Sequence, residues 1–528
     1  MGGSLRPSGD ERDTSDSTYT VRMRELESDV VVVGGGTAGC IVAARLSEDP
    51  GLRVTLLEWG PNDAEVEESR YVRRWLEMLE GDYDLDYRSV PQARGNSGIR
   101  QARARILGGC ATHNTMIAFR PPAWDLDEWV ALGAEGWGPE SFLPFYDRLR
   151  TTIVPVAEQH RNAYLADVIT AASSALGIPV IDGWNRAPWR DGVGWLDIAY
   201  RPETGERSKS STDYVHDLIG TRENLDVRFG ARANRVVVEA GRAVAVEVRR
   251  DDGSLERITA RREIVLCAGA IDTPRLLLLS GIGPAEELRA AGVDVVHDLP
   301  GVGRNLQDHP EALLIWEASR PIPPEGATDW DIAVIVRTDA DAAAPDVMMH
   351  VPLDTYDVHS LALGVPTPEH SISMTPNVPK PRSRGTIRLA GPDPDAAPLY
   401  DPAYLTDPEG YDEAMLLRGV ELARRIAATE PMRGWIARET FPGSDVSDPS
   451  ALRELIRASH HTVYHVSGSA RMGAGDDPLA VCDPALRVRG LAGLRVADAS
   501  AFPTVTSINP MVTIFMLAER AADLVRAG

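Results

Sequence analysis

Residues 30–33 are four consecutive valines, an unbroken β-branched run with no polar alternation. That pattern predicts a strand over 29–33 that is covered on both faces, as in a parallel sheet. The glycine-rich stretch from Gly34 to Gly39 follows, and then helical spacing over 40–47. A second short apolar run over 53–57 closes on Glu58. Much later, residues 385–389 alternate as a half-buried strand, whereas 412–428 carry apolar residues at helical spacing. Residues 1–27 have neither period and are rich in Gly, Ser, Thr, Asp and Arg, so they read as a disordered leader outside the fold.

Length and charge narrow the class. A chain of 528 residues with 43% apolar content exceeds what one core usually supports, which predicts two domains. Its 55 basic and 78 acidic residues give a net charge of −23. Such a field disfavours nucleic acid and anionic membrane as partners; spread along the chain, it reads first as a solvated acidic surface, and it would also draw in cationic substrates. Cys40, Cys110, Cys267 and Cys482 lie far apart without paired spacing. They read as reduced thiols, neither a metal site nor a disulfide framework. No apolar run approaches the roughly 20 residues of a membrane helix, and the N-terminus is charged where a signal peptide would be apolar. A cytoplasmic protein is expected.

The order strand, glycines, helix, strand, acid is the dinucleotide fingerprint in its proper setting. Gly34, Gly36 and Gly39 would let the backbone and a helix N-terminus approach a pyrophosphate, and Glu58 would receive a ribose hydroxyl pair. The motif alone does not separate FAD from NAD.

Two further segments carry a resemblance: 104–115, with Gly108-Gly109-Cys110-Ala111-Thr112-His113-Asn114, and 269–283, with Gly269 to Pro274 and Ser280 to Gly283. Together with Tyr464 to Gly473 and Ile508-Asn509-Pro510, they resemble the glucose-methanol-choline family of flavin oxidoreductases, and within it the choline-oxidising members. The stretches Asp308 to Glu311, Pro345 to His350 and Ser371 to Val378 add to the likeness. Cys110 and Ala111 depart from the family's small Gly, Ser or Thr residues.

The resemblance implies an α/β and α+β architecture: a Rossmann-like FAD-binding domain from 28–160, 204–310 and 463–528, and a discontinuous substrate domain from 161–203 and 311–462. The latter would be an antiparallel sheet covered by helices. FAD would be held by Gly34, Gly36, Gly39, Glu58, Gly109, Asn114, Val236, Asp498, Ala499, Asn509 and Pro510, and attached covalently through His113. Without the covalent bond, His113 is a packing neighbour. No metal is expected.

Oxidising an alcohol needs a base for the hydroxyl proton and a group that steadies the alkoxide. His465 and Asn509 match those positions. His350, after an apolar run, matches a further substrate-side histidine; read locally, it is equally a buried histidine bonded to a carbonyl. Thr115 keeps a hydroxyl where the resemblance implies serine. Trp75, Trp330, Tyr464 and Glu311 match a cage for a methylated cation, though Trp75 alone could be an ordinary helix face. Val463 would lie near the oxygen-reacting side. The resemblance thus implies a small alcohol, cationic in the leading reading, and molecular oxygen as partners, and leaves a homodimer open. The alternatives are a sugar, aminoglycoside or aryl alcohol, or a flavin protein without alcohol chemistry.

Overall fold

The computed structural model describes residues 23–186 and 189–528, and every count below refers to these. Two sheets organise them. The first has seven strands, laid side by side as Leu225–Arg228, Val54–Leu57, Arg24–Val33, Leu255–Leu266, Arg242–Arg250 and Ala231–Glu239, with Leu494–Val496 beside the end of Leu255–Leu266. Its central pairings are parallel, Val30 to Val33 lying between Val54–Leu57 and residues 263–266. Val30 to Val33 are buried, which is why the run shows no alternation.

The first strand starts earlier than its hydrophobicity suggests. Arg24 to Ser28 pair with Glu256 to Ala260, so the leader ends short of residue 27. The charged Arg24, Glu25 and Glu27 hide this, because backbone pairing along that outer part of the sheet buries little side chain. The rest of the expected leader, residues 1–22, lies outside the described residues.

Helix Gly39–Leu46 follows the glycine turn, with every residue except Arg45 buried. Arg45 forms a paired ion bridge with the buried Glu519, Nε to Oε2 at 2.9 Å and Nη2 to Oε1 at 2.8 Å. That bridge joins the first helix to the last, Met511–Ala527, and so fixes Asn509 and Pro510 relative to the glycine turn.

The second sheet has nine strands, drawn from residues 180–195 and 310–462. Apart from the parallel pair Val180–Ile181 with Gly192–Trp195, its ladders are antiparallel. Its period-2 pattern sorts side chains into two cores. Ile332, Val334, Val336, Val347 and Met349 face helices Ala163–Leu176 and Tyr411–Ala427. Ala333, Ile335 and Met348 join the core of the first sheet. His350 shares the parity of Met348 and therefore points the same way, toward the space between the sheets.

The four cysteines are unpaired. No helix of the described residues is long and apolar enough to cross a membrane, and these residues hold no cluster of His, Cys, Asp and Glu that could bind a metal.

Candidate active site

One long cavity runs from the glycine turn to the second sheet. At its first end the chain is packed too tightly for a side chain at two of its glycines. A Cβ on Gly39 would stand 1.8 Å from the Gly34 carbonyl oxygen, and one on Gly109, whose φ is +55°, would stand 2.7 Å from the Gly36 Cα. Gly34, Gly36 and Gly109 line the cavity, while Gly39 serves by letting its helix close on the turn. Glu58 also lines it. Both carboxylate oxygens accept backbone N–H groups, from Gly35 at 2.9 Å and Gly60 at 2.7 Å. Burial raises its carboxyl to about 7 against those bonds.

Val236 does not reach this space. It is buried in its strand with its N–H bonded to Ser280 Oγ at 2.8 Å, and the same strand contributes Ala231, Arg232 and Ala233 to the cavity instead. Asp498 and Ala499 do line it. The Asp498 carboxylate already takes four protein donors, the N–H of Gly269 and of Ser500 and the hydroxyls of Thr273 and Ser500, all within 2.9 Å. Its first task is to tie the strand end at Val496 to the helix that begins at Gly269.

Farther along stand His113, Asn114 and Thr115, with Pro510 opposite. His113 is buried, and its Nδ1 has no hydrogen-bond partner among the described residues. Beside it, Cys110 Sγ lies 3.7 Å from Arg103 Nη1. Burial pushes this thiol up, but Arg103 and His113 outweigh it and hold it down at about 6. Arg103 Nη2 also donates to the Tyr464 carbonyl at 2.9 Å.

That carbonyl belongs to a strained turn. Tyr464 has φ +65°, a region a bulky residue enters only when its surroundings compel it. Here Thr462 Oγ1 takes its N–H at 2.7 Å, and the next N–H, of His465, goes to Asp308 Oδ1 at 2.8 Å. Asp308 further accepts the hydroxyls of Thr462 and Tyr404, each at 2.5 Å. The buried carboxylate is thus the knot that holds the His465 turn.

The protons of the histidines follow from this network. His309 Nε2 faces the Thr506 carbonyl at 3.0 Å, and a carbonyl only accepts, so that nitrogen carries a proton. Burial, reinforced by Lys380, lowers the ring to about 3, so His309 is neutral and its Nδ1 is bare. His465 Nδ1, 2.9 Å away, must donate to it. The remaining nitrogen, His465 Nε2, is then an unprotonated acceptor beside Asn509 Nδ2 at 3.3 Å, and both residues line the cavity. Burial, with His309, His350 and Arg103 adding to it, keeps His465 well below the usual imidazole range. His350 is likewise held neutral, lowered to about 4 by burial against a smaller pull from Asn509, and neither ring nitrogen has a hydrogen-bond partner among the described residues.

Trp75, Trp330, Tyr464, Val463 and Glu311 line the same end. The Trp75 and Trp330 ring centroids are 6.3 Å apart at 70°, and Trp330 meets His350 at 5.9 Å. Trp75 sits on the 3₁₀ segment Val72–Met78. Glu311 is buried, and burial followed by nearby Asp308 pushes its carboxyl well above the usual range. Tyr356 joins this group through a hydroxyl contact with Tyr464. His309, Asp308, Tyr356 and Arg103 are not among the candidate site residues of the sequence. Asp308 and His309 lie in the 308–311 stretch, where Asp-His before Pro is the signal the sequence offers.

A glycine turn on a parallel strand, feeding a cavity with a bare imidazole nitrogen at its far end, defines a dinucleotide-dependent oxidoreductase. The family models of the GMC oxidoreductases match residues 28–311 and 381–518. Choline oxidase of Arthrobacter globiformis is 43% identical over 96% of this chain and 95% of its own length. Human mitochondrial choline dehydrogenase is 32% identical, covering 95% of this chain and 90% of its own. Among solved structures, pyridoxine 4-oxidase from Mesorbium loti superposes with a TM-score of 0.87 at 30% identity, over 95% of this chain and 99% of its own. The chain belongs to the GMC oxidoreductase family and is a flavoenzyme. The close Gly36 to Gly109 approach, the Glu58 carboxylate and the unpartnered His113 Nδ1 fit the family's flavin dinucleotide. Oxidation of an alcohol is the activity class supported here.

Proposed function

We propose that the protein oxidises the primary alcohol of choline or a related amino alcohol, using FAD and molecular oxygen. The observation that carries this is the bare His465 Nε2 beside Asn509 Nδ2, in one cavity with the glycine turn and the buried Glu311. Gly34, Gly36, Gly109 and Glu58 would hold the ADP half of the cofactor, with Gly39 closing the turn; Asn114, Asp498, Ala499 and Pro510 would border the rest. His113 would form a covalent bond to the ring. Bound FAD supplies the hydride acceptor at flavin N5 and, on reoxidation by oxygen, yields hydrogen peroxide.

The chain's residues do the proton chemistry. His465 Nε2 takes the hydroxyl proton, and His309 accepts from the opposite nitrogen throughout. Asn509 Nδ2 then donates to the oxyanion as the carbon loses its hydride, so the alcohol becomes an aldehyde. His350, beside Asn509 in the same cavity, serves the same oxygen, and the Thr115 hydroxyl borders the reacting carbon. Glu311 and the faces of Trp75, Trp330 and Tyr464 receive the ammonium end, with Val463 beside them. A buried carboxylate among aromatic rings favours this over a sugar, which offers no charge to repay its burial.

The test is anaerobic mixing of the pure protein with a panel of alcohols while flavin absorbance is followed, and then admission of air with a peroxide assay. Amino alcohols should bleach the flavin and air should restore it with peroxide. A flavin that stays oxidised with every alcohol would sink the proposal.

A further inference from the structure

Tyr356 takes no part in the proton chemistry of His465 and Asn509, yet it touches several residues of the end that would receive the ammonium. Its ring meets Trp330 edge-on at 5.7 Å and His461 at 6.2 Å. Its hydroxyl oxygen is 2.8 Å from that of Tyr464. Glu311 pairs across the sheet with His461, whose ring lies 6.2 Å from that of Tyr356 and 5.6 Å from that of Tyr464, and burial raises both phenols with Glu311 adding to it. Glu311, Tyr356 and Tyr464 line the cavity. Among the residues that line this end, Trp75 and Trp330 offer rings, and Glu311 with the Tyr356–Tyr464 hydroxyl pair offers oxygens.

The two kinds of group suit different cations. An aromatic face attracts any ammonium through its quadrupole and is indifferent to N–H groups. Oxygen acceptors discriminate. An ionised carboxylate only accepts, and a phenol has two lone pairs for its single proton, so a carboxylate and phenols together carry more acceptors than donors. A fully alkylated nitrogen presents only methyl groups to such oxygens and desolvates them without bonding them. A nitrogen that keeps one proton offers the same charge and shape and adds a charge-assisted hydrogen bond.

Resting on the amino-alcohol reading above, we infer that Tyr356 is a specificity-determining residue. Paired with Tyr464 beside Glu311, it selects amino alcohols whose ammonium carries at least one N–H over those whose nitrogen is fully alkylated. N,N-dimethylethanolamine in its protonated form represents the favoured class and choline the disfavoured one.

The test uses probes without an alcohol, so that recognition is read apart from turnover. Tetramethylammonium and trimethylammonium, both cationic at pH 7, are titrated into the flavin-loaded enzyme and its Tyr356→Phe variant by calorimetry. The parental enzyme should bind trimethylammonium about 10-fold more tightly, the worth of one charge-assisted hydrogen bond. Tyr356→Phe keeps the ring and removes the hydroxyl, and should bring that ratio to about one. If the variant does not fold, Tyr464→Phe removes the other half of the same pair and should have the same effect. Equal or tighter binding of tetramethylammonium by the parental enzyme overturns the inference, and so does a preference that survives loss of the hydroxyl. Failure to bind either cation overturns it together with the cationic reading of the substrate. Flavin bleaching by alcohols remains the separate measure of whether the enzyme is an alcohol oxidase at all.

Discussion

His309 Nδ1 and His465 Nδ1 lie 2.9 Å apart and share one proton, which the Thr506 carbonyl assigns to His465 by claiming the other nitrogen of His309. This contact keeps the bare nitrogen of His465 on the cavity side. His309→Ala would leave His465 Nδ1–H without its acceptor and free the ring to adopt the other tautomer. Flavin reduction should slow by roughly 10- to 100-fold, less than loss of the base itself, with flavin content and KM changed far less than kcat. A variant with parental kcat and pH profile would show that His309 does not set the tautomer.

His465→Ala removes the acceptor outright. It should fold and stay yellow, because His465 takes no part in the glycine turn, and reduction by substrate should fall by about 10² to 10⁴. The rate is read by anaerobic stopped-flow absorbance. Reduction at the parental rate would place the base elsewhere.

The legible parts of the sequence were those set by local periodicity or by steric necessity. Val30 to Val33 read as a buried strand because a sheet covered on both faces needs no polar alternation, and Gly34 to Gly39 read as a turn because a Cβ at Gly34 or Gly39 would stand 2.6 or 1.8 Å from a backbone carbonyl oxygen. What stayed hidden depends on contacts between distant segments. Arg24 to Ser28 pair with residues 256–260 through the backbone, which side-chain pattern does not report. Val236 sits three residues beyond the part of its strand that reaches the cavity, a distinction of register alone. The link between His309 and His465 spans 156 positions, and that between Tyr356 and Tyr464 spans 108, so no window on the sequence contains both partners.

His113 is the proposed attachment point of the flavin, and its buried Nδ1 lacks a protein partner among the described residues. The flavin should remain with the polypeptide after acid precipitation, and His113→Asn should release it. Mass spectrometry of the peptide around His113 gives the same answer without an activity assay. Free FAD in the supernatant of the parental protein would rule the bond out.

Glu311 makes the fold depend on pH. Burial raises its carboxyl above the 4.5 of an ordinary glutamate, so the folded state resists its ionisation while the unfolded chain does not. Below pH 4.5 both states are protonated and the residue is neutral to stability. As pH rises past the unfolded value toward the folded one, stability is lost. Glu311→Gln keeps the shape without the ionisation. Its Tm should match the parent's near pH 4 and exceed it by about 1–4 °C at pH 8 in the absence of substrate. Equal Tm values at both pH values would show that the carboxyl is not resisting ionisation.

The same carboxyl should read the charge of the substrate. If Glu311 receives the ammonium, a neutral isostere of choline, 3,3-dimethylbutanol, fits by shape and loses the electrostatic part of its binding. A unit charge at about 4 Å in an effective dielectric of about 20 feels roughly 4 kcal/mol, from which the cost of desolvating both charges is subtracted. The remaining difference of about 1–3 kcal/mol lowers kcat/KM for the neutral alcohol by about 10- to 100-fold. Because a bound cation favours the ionised carboxyl, its binding should also release a proton, which the neutral alcohol cannot do. Apparent affinity for choline should therefore rise with pH until Glu311 is ionised in the free enzyme, while affinity for 3,3-dimethylbutanol stays level through the same range. Glu311→Gln should erase most of the preference and the pH slope together, since it removes the charge and keeps the volume. Steady-state kinetics of both alcohols on both proteins from pH 6 to pH 9 separate the outcomes. Equal kcat/KM for charged and neutral alcohol in the parental enzyme would exclude the cage, and choline with it, while the family and its flavin chemistry would stand.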